Sequence, residues 1–305
     1  MSELELRGWR DGDAGAAAEL ARRYFAPDPP WRDGAEARAQ LTADALGRGA
    51  HVRVAERGGR VVGVGGYVAA PPWLYLWPVM ADDGEAAGAL LEALVAAGAG
   101  GGERIERARV SVRAIEPGKE AAVVARGYQR SIEFVEVVRQ ADKMVRQADK
   151  VGVGTAAAAG LERRAGAAID RRAMHATHER SFAEIANTAP MSEADFDRLL
   201  DGAAAWPEAT AAWFAADGTC AGFVIGLRHP DHGVVEAIGV HPAFRRRGLA
   251  AAMLEHLLAA AAEAELPEVR AMIAGNNAGS LALHAAAGFV ERARKQLWDL
   301  DLTAR

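Results

Sequence analysis

The chain has 305 residues, one cysteine and a formal net charge of −5, with 50% of its residues apolar and 25% charged. That length supports two ordinary domains, and the apolar fraction suffices for a core in each. A lone thiol excludes an internal disulfide and a thiolate metal cluster, the acidic balance without a broad basic face argues against nucleic-acid or membrane-surface partners, and no apolar run reaches the ~18 residues of a membrane span. The start, Met-Ser-Glu-Leu-Glu, lacks a signal-peptide pattern, so a cytoplasmic protein is expected.

Residues 4–9 read as a strand, and Asp11 or Asp13 is placed to cap a helix running to about Tyr24. Pro27-Asp28-Pro29-Pro30 breaks the pattern, and a helix is expected over about 35–46. Three strands follow at 52–55, 60–68 and 73–79, the first two joined by Gly58-Gly59. A helix over about 85–97 leads through a glycine-rich turn at 98–102 to strands at 110–115 and 132–138, which flank a short helix ending at Gly127-Tyr128. The heptad from Val138 to Met144 is repeated directly from Val145 to Val151 with only its last residue changed. Two heptads are too few for a stable coiled coil, so the repeat reads as a linker without chemistry.

The second half is expected to hold a long helix ending near Ile185, another over 192–200, and strands near 211–215, 221–227 and 234–240. Cys220 adjoins an apolar strand and reads as a small buried thiol rather than a nucleophile. Beyond Val240 comes His241-Pro242-Ala243-Phe244-Arg245-Arg246-Arg247-Gly248-Leu249-Ala250, after which Leu249, Met253, Leu254, Leu257, Leu258 and Ala261 recur at helical spacing. The pattern is a strand, a basic glycine turn and a helix. The first N–H groups of such a helix lack backbone partners, the helix dipole and three arginines add positive charge, and Gly248 lets the backbone approach an oxygen-rich ligand. A diphosphate fits that site. An isolated arginine triplet would be a solvated charge run.

Glu236 is a carboxylate in the middle of Val-Val-Glu-Ala-Ile-Gly-Val, and in a regular strand it shares a face with Ile238 and Val240. It is either ion-paired at an edge or a base. Gly239 weakens packing within the strand and points to a bulge or a close backbone approach. Asn277 stands at a helix start, where it caps the helix, contacts a ligand, or does both. The order His175-Ala-Thr-His178-Glu179 is not the metalloprotease order, and His229 to His232 reads as a hairpin turn, so no metal is expected.

Arg245-x-x-Gly248-x-Ala250, after a strand ending Val-x-Pro, resembles the Arg/Gln-x-x-Gly-x-Gly/Ala signature of the GCN5-related N-acetyltransferases (GNAT). Asn277 to Phe289, with Leu283-His284 and Gly288-Phe289, is similar to that family's Asn-x-x-Ala-x-x-Leu-Tyr-x-x-x-Gly-Phe element. The element order is the family's, and it occurs twice. The resemblance therefore implies an α/β protein of two tandem GNAT domains, each a mixed, mostly antiparallel sheet flanked by helices, in a layout similar to the mycothiol synthases. The domains expected are 1–145 and 146–305.

The resemblance further implies that Arg245, Arg246, Arg247, Gly248, Leu249 and Ala250 hold the pyrophosphate of acetyl-CoA. Ile238 and Val240 line its arm, the Val240 amide takes the thioester carbonyl at a bulge beside Gly239, and Asn277 contacts the pantetheine. Glu236 serves as base. His284 stands where the family commonly has a tyrosine that protonates the leaving thiolate, and is either that acid or a surface histidine without a role. The reaction implied is acetyl transfer to a primary amine of a small molecule by direct attack. A non-catalytic acyl-CoA sensor is the alternative. The protein is expected to be a monomer or homodimer.

The first copy departs from the pattern. Aligning the two copies sets Asp82 and Asp83 against Arg245 and Arg246, Glu85 against Gly248, Glu116 against Asn277 and Val123 against His284. No arginine or lysine occurs between Arg60 and Arg104. Carboxylates at that turn repel a diphosphate, so the first site is expected to be degenerate.

Overall fold

The apolar runs of the first half form strands β1 (Leu4–Gly8), β2 (Val52–Arg57), β3 (Arg60–Ala70), β4 (Trp73–Ala81), β5 (Arg107–Arg113) and β6 (Gln129–Gln140). They do so in a computed structural model that describes residues 2–25, 30–101, 104–116, 118–140, 160–183 and 190–303. Between them lie helices α1 (Ala14–Tyr24), α2 (Gly34–Leu41), α3 (Gly84–Ala99) and α4 (Lys119–Ala125). The second half repeats the series with β7 (Glu162–Ala165), α5 (Arg171–Phe182), α6 (Glu193–Asp201), β8 (Ala211–Phe214), β9 (Cys220–Arg228), β10 (Gly233–Val240), α7 (Leu249–Glu263), β11 (Glu268–Ala274), α8 (Ala278–Ala286) and β12 (Val290–Asp301). Several helices start on a side chain that satisfies an otherwise orphaned N–H: Asp33 for α2, Asp83 for α3, Asp170 for α5 and Ser192 for α6.

The chain divides into two compact units, Met1–Glu133 with Arg294–Arg305, and Phe134–Ala293. In the first the strand order is β1-β2-β3-β4-β5, closed by the end of β12. In the second it is β7-β8-β9-β10-β11, closed by the end of β6. In each only one described pair is parallel, β4 with β5 and β10 with β11. The two units thus repeat one topology with their closing strands exchanged. Lys295 to Asp301 run antiparallel to Arg113 to Arg107, and Phe134 to Gln140 run antiparallel to Ala274 to Glu268.

Each sheet has an apolar cluster on both faces. In the first unit Leu90, Leu91 and Leu94 of α3, all fully buried, pack with Val110, Trp298 and Leu300, while Leu20, Trp31 and Leu41 pack with Val54, Val64 and Met80. In the second, Met253, Leu254 and Leu257 of α7 pack with Val224, Val235 and Val269, and Met174 of α5 and Phe196 of α6 pack with Phe214, Phe223 and Ala237. Burying such side chains contributes about 1.5–3 kcal/mol each before entropy is counted.

Several expectations change. The helix expected over 35–46 stops at Leu41, where the Thr42 hydroxyl donates to the Arg38 carbonyl. A 3₁₀ turn, Asp44–Gly49, follows, with Gly47 and Arg48 at positive φ. The strand expected at 110–115 is Arg107–Arg113. Strand β7 has no apolar alternation to announce it; it is an edge strand held by backbone pairing to the fully buried Ala-Ala-Trp-Phe of β8. Pro27 to Pro29, the heptad repeat beyond Gln140, the 145/146 boundary and residues 184–189 around the expected helix end lie outside the described residues.

The exchange makes a direct prediction. Leu300, near the end of the chain, packs in the core of the unit that begins it, so Leu300→Ala should destabilise that unit by about 2–5 kcal/mol. Native-state hydrogen exchange should show faster exchange in β5 while β9 and β10 keep their protection. Faster exchange in β9 and β10 instead would refute the exchange.

Candidate active site

Strand β10 departs from a regular ladder on both of its sides. It runs parallel to β11 through Gly233↔Val269, Val234↔Arg270 and Val235↔Ala271, and there the pairing ends. Against β9 the register shifts between Val235 and Ala237, so Glu236 is the extra residue of a β-bulge. Bulge and fork coincide at the carboxylate.

The bulge expected at Gly239 is therefore at Glu236, and Gly239 pairs regularly with Phe223. Gly239 instead meets the other expectation, a close approach: a Cβ there would collide with the Phe223 ring and lie 2.6 Å from the Ser181 hydroxyl, so α5 seats directly on β10. Across the bulge the alternation slips by one residue, and from Ala237 to Val240 it is regular. Val235, Ile238 and Val240 belong with the cluster under α7, and Ala237 with the one under α5.

The His241 N–H donates to the Ala221 carbonyl of β9 at 3.0 Å. Backbone groups alternate in direction along a strand, so the N–H and C=O groups of Ile238 and Val240 point away from β9, into the fork. Glu236 is exposed and has no hydrogen-bond or ion-pair partner among the described residues. Its side chain reaches solvent, yet the protein gathered around the carboxyl reduces hydration there and, with no cation beside it to oppose this, raises its pKa above the ordinary carboxylate value.

Beyond the fork, Pro242–Phe244 form a 3₁₀ turn whose start is capped by His241, with Ala243 N–H donating to its Nδ1 at 3.3 Å. Arg246 (φ 65°) and Gly248 (φ 80°) both take the left-handed conformation that brings the chain into α7. The start of α7 carries no capping side chain. Arg245 folds back so that its Nε lies 3.4 Å from the Val240 carbonyl, Arg247 lies over the Phe244 ring and donates to the Ala243 carbonyl at 3.0 Å, and Arg246 is exposed. Leu249 is 2% exposed and anchors the helix in the core, so only its backbone faces a ligand. Ala250 is half-buried against the same cluster.

Asn277 caps α8, its side-chain oxygen accepting from Ser280 N–H at 3.0 Å. That oxygen is engaged, and the amide N–H₂ is what remains for a ligand. His284 is 3% exposed, not a surface residue. Its Nδ1 is 2.9 Å from the Ser280 carbonyl, which can only accept, so Nδ1 carries the proton. Nε2 is then a buried lone pair without a partner, beside the Phe289 ring. In this tautomer Nε2 of His284 carries a lone pair and no proton, and burial lowers the pKa of the ring.

At the corresponding turn of the first unit the helix start is already filled. Asp83 caps α3 by accepting from Ala86 N–H at 2.9 Å and pairs with Arg57 at 2.7 Å, and Arg57 also holds Glu85 at 2.6 Å. Asp82 accepts from Arg23 at 2.8 Å, from the Tyr24 hydroxyl at 3.0 Å and from Arg60. One turn has its carboxylates neutralised by its own arginines; the other presents arginines and uncapped N–H groups.

On the other face of β9 and β10, His178 packs with Phe182, Phe196 and Phe223, with its Nδ1 3.0 Å from Glu179, and burial lowers its pKa against the pull of that carboxylate. Residue spacing gave no sign of Ser181 and Phe223 as the groups that seat α5 on the fork strand. Cys220 is buried and its thiol pKa is pushed up to about 11, which makes it inert.

Residues 171–289 match the acetyltransferase (GNAT) family. Among solved structures, a GCN5-related N-acetyltransferase from Sphaerobacter thermophilus is similar, with a TM-score of 0.77 at 17% identity, covering 98% of this chain and 95% of its own. A tandem GNAT protein from the clavulanic acid biosynthesis pathway gives 0.68 at 19%, covering 98% of each chain. A GCN5-related glucosamine N-acetyltransferase region of a fungal multi-domain β-N-acetylglucosaminidase gives 0.66 at 12%, covering 98% of this chain and 38% of that one. No curated protein matches in sequence. The chain has the tandem GNAT fold, and among its described residues no helix is long and apolar enough to cross a membrane.

The state of His284 is measurable. As pH falls through 6.5 the unfolded chain takes up the histidine proton first, so this residue costs stability in acid and nothing at higher pH. In an NMR titration its ring should remain the neutral Nδ1–H form at pH 6.5, where an exposed histidine is about half protonated. A half-protonated His284 at that pH would place the ring in water.

Proposed function

We propose that this tandem GNAT chain transfers the acetyl group of acetyl-CoA to a primary amine of a small molecule, using the fork of the second unit and leaving the first without a cofactor. The reading rests on one observation: the fork begins at an unpaired, bulged Glu236 and leads to an uncapped, arginine-bearing helix start. The donor is a substrate. Its diphosphate would be held by the N–H groups at 248–250 and by Arg245, Arg246 and Arg247. Its arm would lie along Ile238 and Val240, with Asn277 across from it.

In the step proposed, the amine nitrogen attacks the thioester carbonyl, the N–C bond forms, and the Val240 N–H donates to the developing oxyanion. The C–S bond then breaks, and the ammonium proton passes to Glu236 directly or through water. A carboxylate with a raised pKa, free of any ion pair, is suited to that transfer. The thiolate draws its proton from solvent or from the carboxyl of Glu236 that has just taken one up, because His284 has none at Nε2.

The lone pair at His284 Nε2, where the resemblance implies a proton donor, also favours a second reading, a sensor that binds acyl-CoA without turnover. Assaying a panel of amines for release of the CoA thiol separates the two, since turnover with any amine excludes the pure sensor.

Calorimetry should give one CoA per chain. Arg245→Glu or Arg247→Glu should weaken it by about 1–3 kcal/mol, the scale of a lost charge-assisted hydrogen bond, and unchanged affinity in both would make the turn a solvated charge run.

Glu236→Gln should lower the rate by roughly 10² or more with CoA affinity unaltered. In the parent, kcat/KM should fall as pH drops through the raised pKa of Glu236, so the acid limb lies above the ordinary carboxylate pKa of about 4.3. An equally active Gln variant would remove Glu236 from the mechanism.

A further inference from the structure

The first unit has a fork as well, and it is occupied from within. Strands β4 and β5 run parallel through Trp73↔Arg107 to Leu76↔Val110 and then part. The Asp82 N–H donates to the Val62 carbonyl of β3 at 2.8 Å, so by alternation the backbone groups of Val79 and Ala81 face the fork, as those of Ile238 and Val240 do in the second unit. The Lys119 ammonium, on the first residue of α4, donates to the Val79 carbonyl at 2.6 Å and to Glu116 Oε1 at 2.6 Å. Glu116 Oε2 accepts from the Arg113 N–H at 2.7 Å. Lys119 is 3% exposed and Glu116 7%. Removing both charges from water is costly and is offset only where the pair is fully bonded. Burial alone would drive the lysine toward neutrality, and Glu116 opposes it.

A second, independent feature closes the same place. The starts of α3 and α4 touch backbone to backbone: a Cβ on Gly84 would lie 3.0 Å from the Gly118 carbonyl oxygen, and one on Gly118 would lie 2.6 Å from the Gly84 nitrogen. Gly118 also has φ 73°, so a side chain there is both strained and obstructed. No ligand passes between these two helix starts.

From this geometry we infer that the first fork is a primary-ammonium binding site whose ligand is the chain's own Lys119, held by the Val79 carbonyl and the Glu116 carboxylate. This deepens the proposed division of labour between the units: the first fork is sealed by an internal ligand as well as lacking a basic turn. It nonetheless stands on contacts that involve neither acetyl-CoA nor turnover.

Lys119→Ala leaves a buried carboxylate and a carbonyl unpaired around a channel shaped for an alkylammonium. The thermal midpoint of the first unit should fall by roughly 10 °C. n-Propylammonium, which supplies the atoms the substitution removes, should restore much of that loss and slow exchange at the Val110 and Val112 amides. Tetramethylammonium at equal ionic strength, which cannot donate a hydrogen bond, should do neither, and the parent should respond to neither salt. If Lys119→Ala does not fold, Lys119→Met combined with Glu116→Gln, which removes both charges and keeps the volume, should fold near parental stability and ignore both salts. A Lys119→Ala protein as stable as the parent, an equal response to the two salts, or a double variant that fails to fold would overturn the inference. Loss of CoA binding in Arg247→Glu leaves these outcomes unchanged, so the two readings fail separately.

Discussion

A strand that leaves its neighbour in mid-sheet uncovers a row of backbone N–H and C=O groups, and each needs a partner if it stays away from water. Both units contain such a parting, between β4 and β5 and between β10 and β11, and most of what distinguishes them follows from how it is met. In the first unit Lys119 reaches in from α4 and satisfies Val79. In the second, the Ile238 and Val240 groups face a fork that opens onto an uncapped helix. Glu236 stands at the point of parting because the bulge that expels it from the β9 ladder is also where the two parallel strands separate.

Electrostatics reinforces the division. Both turns lie between the fork strand and the helix that follows it, so both feel the positive end of a helix dipole. Asp83 satisfies that end internally, and Arg57, Arg23 and Arg60 neutralise the acidic cluster around it. At α7 the same end meets a glycine, and Arg246 and Gly248 in left-handed conformations keep the backbone close to whatever binds. Reversing one turn would not recreate the other, because the Gly84–Gly118 contact closes the space between helix starts as well.

Much of this was legible in the sequence because it is local. Residue spacing marked the strands around Gly58-Gly59, the basic turn, the capping Asn277 and the carboxylates of the first turn, although Asp83 takes the helix-cap place of Gly248, which the alignment gave to Glu85. What escaped depends on packing, which residue spacing does not show. Gly239 suggested a bulge or a close approach; the approach is to Phe223 and Ser181, which spacing could not name, and the bulge lies three residues earlier. His284 sits on the expected helix, but which way that helix faces is decided by packing on Phe289, and the buried ring gives up its proton-donating edge to the Ser280 carbonyl. The exchange of β6 and β12 left no mark, since each strand's pattern fits either sheet. No residue pattern placed Lys119 and Glu116 in the interior of a fork, where both are buried.

The central claim is that one fork is open and the other is filled. Hydrogen exchange measured with and without CoA tests it residue by residue. Binding should slow exchange at Ile238, Val240 and the amides of 246–250, and leave 79–86 and 118–122 unchanged. Protection appearing at Val79, Ala81 or the start of α3, or none at Val240 and the start of α7, would contradict the account.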